Sequence, residues 1–160
     1  MPPLQRHTAL VPLSQDHHHG LMLVLKIKKG IQYGVETPRM SAYLLHEFRE
    51  ALVPHFREEE EGVFRWLPET DPLLKQALDE HRQMGTLADS IAADAENLSL
   101  VRLFIQILEA HIRFEERVLF PQLQESFPAQ LNKMASGVPA AASCHSDAGW
   151  PDHFWMPPTS

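Results

Sequence analysis

The chain of 160 residues has a single cysteine, Cys144, and this scarcity limits the kinds of site it can build. One thiol excludes an internal disulfide framework and a zinc site made of cysteines. Cys144 lies near the end of the chain, where we interpret it as a bystander rather than a nucleophile. Because ten histidines and 21 acidic residues accompany it, metal chemistry in this chain would use nitrogen and oxygen ligands.

Long apolar runs and basic patches are also missing. No apolar stretch approaches the roughly 18 residues that span a membrane, and the run over 21–25 is too short for the core of a signal peptide. The formal charge of -7 argues against nucleic acid as a partner. These absences predict a cytoplasmic protein that binds neither membrane nor nucleic acid, and the length suits one domain with a real core.

Apolar residues recur at helical spacing through most of the chain, and no segment shows the alternation of a half-buried strand. Four helices are predicted, over about 14–31, 38–67, 71–95 and 100–120, and a short fifth helix follows Pro128. Short connections between long helices are typical of a bundle. The predicted fold is therefore all-α, an up-down-up-down four-helix bundle over residues 1–136 with an irregular tail over 137–160.

Capping residues and prolines predict where these helices begin and bend. Ser14 and Ser99 are the predicted N-caps of the first and fourth helices. Pro54 falls inside the second helix, but the apolar stripe continues in phase on both sides of it. We therefore expect a kink there rather than a break. Pro121 is expected to stop or bend the fourth helix.

A His-x-x-x-Glu spacing occurs twice, at His55 with Glu59 and at His111 with Glu115. Residues four apart share one face of a helix with ~3.6 residues per turn. Each histidine follows a leucine of the core stripe by three residues, so both pairs are expected to point inward. His81 and His17 lie at similar positions on the third and first helices.

Taken together, these side chains predict a metal site inside the bundle. Burying several imidazoles and two carboxylates without partners would cost several kcal/mol. A pair of metal ions offsets that cost because it binds neutral imidazoles and ionised carboxylates. The competing interpretation is a plain structural bundle, because a single core histidine is usually hydrogen-bonded and has no ligand role.

The register of the first helix leaves one ligand open, because His17, His18 and His19 are consecutive. His17 lies closest to the mean direction of the apolar residues. His18 is about 100° away around the helix and stays an alternative ligand. His19 is expected to face solvent.

The tail carries two further groups of side chains. Cys144, His145, Asp147 and His153 are metal-ligand types, but they have no helical framework, so we do not interpret them as a second site. The aromatic residues Trp150, Phe154 and Trp155 are a better indication of docking or of contact between two copies in a homodimer.

Four stretches of the chain resemble the hemerythrin-like family of HHE cation-binding domains. They fall within about residues 10–135 and read Leu13-Ser-Gln-Asp-His17, His55-Phe-Arg-Glu-Glu59, Glu80-His81-Arg-Gln-Met84 and His111-Ile-Arg-Phe-Glu115-Glu-Arg-Val-Leu-Phe-Pro121. The resemblance implies a four-helix bundle around a non-haem di-iron centre. It also implies four terminal nitrogen ligands, which would be His17, His55, His81 and His111. The two bridging carboxylates that it implies would be Glu59 and Glu115. Manganese or zinc would suit the same ligand types.

The chain departs from the oxygen carriers of this family on the third helix. The carriers have His-x-x-x-His on the third helix, and Gly85 stands where the second of these histidines would be. The carriers also place their carboxylate five residues after the histidine, which makes Glu116 an alternative to Glu115. We prefer Glu115 because its spacing matches that of Glu59. The pattern is closer to the symmetric four-His, two-Glu members, which include proteins linked to repair of iron–sulfur clusters.

Two kinds of function follow from the resemblance. The first is a di-iron protein, not an enzyme, that senses or binds a diatomic ligand such as O2 or NO, or handles iron under stress. The alternative is a di-iron enzyme that reduces O2, peroxide or NO, or assists iron–sulfur cluster repair. An enzyme would need a proton donor near the metals, for which Tyr33, Tyr43 or a spare carboxylate could serve. The sequence alone does not decide between them.

Overall fold

Helices make up nearly all the regular structure of the protein. The computed structural model describes residues 5–137 and 149–159, and no strand occurs among them. The α-helices are α1 (Val11–Gln32), α2 (Thr37–Glu47), α3 (Val53–Glu61), α4 (Pro72–Ala93), α5 (Leu98–Phe114), α6 (Phe120–Ser126) and α7 (Pro128–Gly137). Short 3-10 turns cover Thr8–Leu10 and Val63–Trp66.

Two π-helical turns join α-helices end to end. Phe48–Leu52 connects α2 to α3, and Glu115–Leu119 connects α5 to α6. In each case a proline occupies the first turn of the next helix, Pro54 in α3 and Pro121 in α6. Proline has no N–H to offer the carbonyl four residues earlier, and the wider π turn accommodates this change in the hydrogen-bond ladder. The helix therefore continues through Pro54 as predicted, and it also continues through Pro121.

The helices pack against one another as a bundle. α1 contacts α2 and α5, and α4 contacts the same two helices. One apolar cluster includes Tyr43 and Phe104, and a second includes Phe64 and Leu123. These contacts confirm an all-α bundle, while the up-down-up-down order of its helices remains a prediction. Within the described ranges, no helix combines the length and apolar character that crossing a bilayer requires.

The first helix begins earlier than its sequence suggested. α1 starts at Val11, so Ser14 lies inside its first turns and is not the N-cap. The 3-10 turn Thr8–Leu10 leads directly into α1. Pro12 occupies the first turn of the helix, where a missing N–H leaves no bond unmade.

The fourth predicted helix also begins two residues early, and one apolar residue of its stripe does not point inward. Asn97 rather than Ser99 caps α5, and its side chain accepts a hydrogen bond from the N–H of Leu100. Val118 is an apolar residue of the fourth predicted helix, where an inward position is expected, but it is 46% exposed. The reason is the second π turn, whose extra residue per turn rotates the following positions relative to an α-helix.

The end of the chain packs on its own bundle. Phe154 is only 3% exposed, and its ring lies 5.5 Å from that of Tyr43. Trp150 and Trp155 also contact Tyr43. An Arg39–Asp152 ion pair, with atoms 2.6 Å apart, accompanies these contacts. The three tail aromatics therefore dock within one chain, and a homodimer contact stays a prediction.

Of the tail residues considered for a metal site, the structure describes His153. His153 stacks near Trp155, with ring centroids 5.0 Å apart. Cys144, His145 and Asp147 lie outside the described residues.

Candidate metal centre

The structure brings six predicted side chains together in the interior of the bundle. They are His17 of α1, His55 and Glu59 of α3, His81 of α4, His111 of α5, and Glu115 of the second π turn. None of the six is more than 6% exposed. Because α5 runs directly into the second π turn, four continuous helical segments contribute to one buried polar site, as the spacing of these residues along the sequence predicted.

The ligand atoms form two clusters that share both carboxylates. One cluster contains His17 and His55 with Glu59 and Glu115, and the other contains His81 and His111 with the same two glutamates. Within each cluster the ligand atoms all lie within 4.8 Å of one another. Each cluster has the size and ligand types of a site that could hold a cation.

The histidines direct their Nε2 atoms at the shared carboxylates. The Nε2 atoms of His55 and His81 lie 3.1 Å and 3.4 Å from Glu59 Oε1. The Nε2 atoms of His17 and His111 lie 3.1 Å and 2.8 Å from Glu115 Oε1. The two clusters are thus arranged alike, one on each side of the carboxylates.

The three consecutive histidines of α1 take different places. His17 is buried in the centre, whereas His18 is exposed and belongs to neither cluster. The structure therefore places His17, not His18, among the candidate ligands. His19 was expected to face solvent, and this expectation is wrong: it is partly buried and pairs with Glu47. The reason is that α1 packs against α2 on this side.

Glu116, the alternative to Glu115, lies on the outer side of a histidine. Its Oε1 accepts a hydrogen bond from His17 Nδ1 at 2.8 Å, and it is absent from both clusters. Glu115 is fully buried, whereas Glu116 is 27% exposed at its side chain. Glu115, which the His-x-x-x-Glu spacing favoured, is therefore the carboxylate that points into the centre.

Each of the four histidines has an outer carboxylate at its Nδ1 atom. Asp16 lies 3.1 Å from His55, Glu60 3.3 Å from His81, Glu80 2.8 Å from His111 and Glu116 2.8 Å from His17. Every one of these contacts crosses to another helix. The carboxylates of α1, α3, α4 and the second π turn thus form a closed ring of links around the bundle.

These contacts determine which ring nitrogen faces the centre with a lone pair. An ionised carboxylate only accepts hydrogen bonds, so each Nδ1 carries the proton and donates it outward. The Nε2 of a neutral imidazole is then free to bind a cation, which is the arrangement that outer carboxylates give to metal-binding histidines.

The outer role of Asp16, Glu60 and Glu80 was not predicted from the sequence, and Glu116 was predicted only as an alternative ligand. A signal was present, because each of the four directly neighbours a predicted ligand in the chain. Their partners are not those neighbours but histidines of other helices, up to 99 residues away. Only the packing of the bundle reveals these pairs.

Several buried atoms of the centre lack a hydrogen-bond partner among the described residues. They are the Nε2 atoms of His55, His81 and His111, both carboxylate oxygens of Glu59, and Glu115 Oε2. Orphaned buried polar atoms are rare in folded proteins. Here they converge in one place and are all of types that bind metal, so the residues present fit a pair of cations.

The histidine pKa values reflect the close carboxylates. Burial alone would lower the pKa of His55, but the charge of Glu59 and the hydrogen bond to Asp16 outweigh it and raise the pKa to about 9. Burial also opposes the charged form of His111, yet Glu115 raises its pKa to about 10. Without a metal ion, these imidazoles would hold protons at neutral pH.

The pKa of Glu59 changes in the opposite direction. Burial would raise it, but the charge of His55 and the nearby imidazole of His17 hold the pKa well below its usual range. Glu59 is therefore an anion in the interior of the protein. Its negative charge requires compensation, which protons on the histidines or bound cations can provide.

Aromatic rings rather than tyrosine hydroxyls surround the centre. Phe56 stacks on His81 at 3.9 Å, and Phe120 stacks on His17 at 5.2 Å. Tyr33 and Tyr43, which the sequence offered as proton donors, lie elsewhere. Tyr33 caps the far end of α1, sixteen residues or about 24 Å along the helix from His17. Tyr43 is twelve residues before His55, about 18 Å along the helix.

Comparison with known proteins agrees with this geometry. The family model described as the hemerythrin HHE cation binding domain matches residues 7–123. No curated protein and no solved structure gave a match. The matched range contains all six residues of the two clusters and most of the helical bundle. The chain belongs to the hemerythrin family of HHE cation-binding domains.

Proposed function

We propose that this protein binds two iron ions side by side, with Glu59 and Glu115 bridging them. The observation that carries the proposal is that both carboxylates belong to both clusters. His17 and His55 would complete one position, and His81 and His111 the other. Manganese or zinc would fit the same nitrogen and oxygen ligands, so iron is the choice that family membership favours.

The ligand set leaves coordination positions open. The six residues supply four imidazole nitrogens and four carboxylate oxygens, whereas two ions in octahedral surroundings would take about six ligands each. A non-haem di-iron pair with open positions binds small diatomic ligands such as O2 or NO. Since the surrounding side chains are almost completely buried, only a small molecule fits. We propose an O2- or NO-binding role in sensing or in the handling of iron.

Binding is favoured over an enzymatic reduction because of what lies beside the site. Neither tyrosine that could donate a proton is close to it, and phenylalanine rings cover two of the histidines. The outer carboxylates hold the imidazoles rather than pointing into the centre. These side chains orient the ligands and exclude water, which suits reversible binding.

The proposal is tested with the full chain loaded anaerobically with Fe(II). Addition of O2 or NO should change the visible spectrum, and removal of the gas should restore it. Steady consumption of O2, peroxide or NO in the presence of excess reductant, above that of free iron, would establish the enzymatic alternative instead. A protein that holds two irons but shows no spectral response to either gas would contradict the proposed role.

A further inference from the structure

Arg6 contacts both groups that hold His17. Its guanidinium donates to Glu116 Oε2 at 2.6 Å, to the main-chain oxygen of Glu116 at 2.8 Å and to Gln124 at 3.2 Å. It also lies over the ring of Phe120, 5.3 Å from the centroid. Glu116 accepts the hydrogen bond of His17 Nδ1, and Phe120 stacks on the imidazole. Arg6 therefore contacts two residues, Glu116 and Phe120, and each of them contacts the candidate ligand His17.

The other half of the centre lacks such a cation. His81 and His111 face Glu60 and Glu80 through their Nδ1 atoms. In the part of the chain that the structure describes, no lysine or arginine forms an ion pair with either carboxylate. The two halves thus carry matching ligands but unequal surrounding charge.

Charge of this kind acts on a bound cation. An uncompensated carboxylate behind an imidazole strengthens the imidazole as a ligand and attracts the ion. A guanidinium on that carboxylate withdraws electron density from the hydrogen bond and repels the ion. Arg6 therefore weakens cation binding near His17, while no described lysine or arginine offsets the charge of Glu60 and Glu80 near His81 and His111.

Resting on the two-ion centre proposed above, we propose that Arg6 makes the His17/His55 position the weaker of the two. Ions would then enter in order, the first at His81 and His111 and the second beside Arg6. The second position would be the one that exchanges its ion. Arg6 acts as a positioning and tuning residue, because it touches neither ion but sets the charge of the group that does.

The test is a calorimetric titration of the metal-stripped full chain with Fe(II) under anaerobic conditions. The native chain should show two binding steps. In Arg6→Gln the weaker step should tighten about five- to tenfold, so that the two steps converge. Arg6→Lys keeps the charge and should keep the native separation. Arg65→Gln, at an exposed arginine outside the centre, makes the same change in net charge and should also keep it.

Two further backgrounds locate the effect. In His81→Gln the ion that remains is beside Arg6, so Arg6→Gln should still tighten it. In His17→Gln the remaining ion is at the other position, and Arg6→Gln should change its affinity less than twofold. Circular dichroism checks that each variant folds. If a histidine variant does not fold, the comparison of Arg6→Gln with the native chain still tests the inference.

Different results would contradict the role of Arg6 and the two-ion centre. An unchanged or wider separation of the two steps in Arg6→Gln would overturn the inference, as would an equal effect in the His17→Gln and His81→Gln backgrounds. An Arg6→Lys variant that behaves like Arg6→Gln would also overturn it, because charge would not be the cause. In contrast, native protein that takes up fewer than two ions would contradict the two-ion centre itself.

Discussion

At the scale of single residues, the two buried glutamates differ from the four histidines in how many positions they serve. Each histidine contributes to one cluster, whereas Glu59 and Glu115 each contribute to both. Removal of a histidine should leave one position nearly intact. Removal of either glutamate should affect both positions at once.

The first prediction concerns Glu59→Gln, which removes the charge and keeps the shape. It should lower the bound metal well below two ions per chain, and with it the metal-dependent gain in melting temperature. For native protein at 100 to 1,000 times the dissociation constant, that gain should be on the order of 5–10 °C. Glu58→Gln, at the exposed neighbouring position, is the matched control. Retention of two ions by Glu59→Gln would refute the bridging assignment.

The second prediction concerns pH. The pKa of His55 is raised to about 9 and that of His111 to about 10. Burial opposes both shifts, and the carboxylates of the centre outweigh it. A raised folded-state pKa stabilises the protein fully below about pH 6.5, and this contribution is lost as the pH rises through 9 to 10. The free energy of unfolding of metal-stripped protein should therefore fall between about pH 6.5 and 10.

Glu59 extends this prediction to acid. Because its pKa is lowered, its contribution is present above about pH 4.5 and is lost as the pH falls further. Urea denaturation at a series of pH values measures both limits. Zn(II)-loaded protein, whose imidazoles are neutral, is the control and should lack the decline above pH 6.5. Equal declines with and without metal would show that the histidines are not its source.

The ligands were predictable because helical spacing alone puts His55 over Glu59 and His111 over Glu115. The outer carboxylates were not, because spacing says nothing about partners on another helix. Arg6 shows this most clearly, since 110 residues separate it from Glu116. Its sequence context offers no periodic pattern that would connect it to the centre.

At the scale of helices and turns, the same construction occurs twice near the centre. Each π turn precedes a proline by two positions, and the second π turn begins with Glu115 itself. The first π turn ends three residues before His55. π-helical turns are frequent at functional sites because they rotate side chains away from α-helical positions. Pro54 and Pro121 were visible in the sequence, but the π turns and the outward rotation of Val118 were not.

The third prediction concerns the cap of α4, the helix that carries His81. The Asp71 side chain accepts hydrogen bonds from the N–H groups of Leu73 and Leu74, at 2.8 Å and 3.3 Å. Asp71→Ala should lower the free energy of unfolding by about 1 kcal/mol, without changing the number of bound ions. Asp79→Ala, which removes only an exposed contact to Arg82, should change it by less than about 0.5 kcal/mol. If urea denaturation shows that both variants lose the same free energy of unfolding, the Asp71 cap stabilises the protein no more than an exposed ion pair does.

At the scale of the whole molecule, the tail aromatics Trp150, Phe154 and Trp155 pack against the bundle of the same chain. Phe154 fills a space beside Gly30, where a Cβ atom would come within 2.8 Å of both Met40 Sδ and the Phe154 ring. The aromatic composition of the tail suggested docking, but the surface that receives it could not be predicted. That surface combines α1 and α2, and the tail has no periodicity to show which side chains turn inward.

The fourth prediction is that this docking stabilises the bundle. Phe154→Ala should lower the free energy of unfolding by about 3–5 kcal/mol, because a buried ring is lost. It should also expose Trp150 and Trp155 and shift their fluorescence to longer wavelength. Met156→Ala, at a residue that is 58% exposed, is the control. If both variants unfold at the same urea concentration, the tail does not contribute to stability.

If one bundle holds two cations through shared carboxylates, the number of ions bound per chain reveals it. Metal-stripped full chain is incubated anaerobically with excess Fe(II) and desalted, and its iron is measured against protein concentration. We expect two irons per chain for the native protein and well below two for Glu59→Gln. One iron or none in the native protein, or the same number in both, would contradict it.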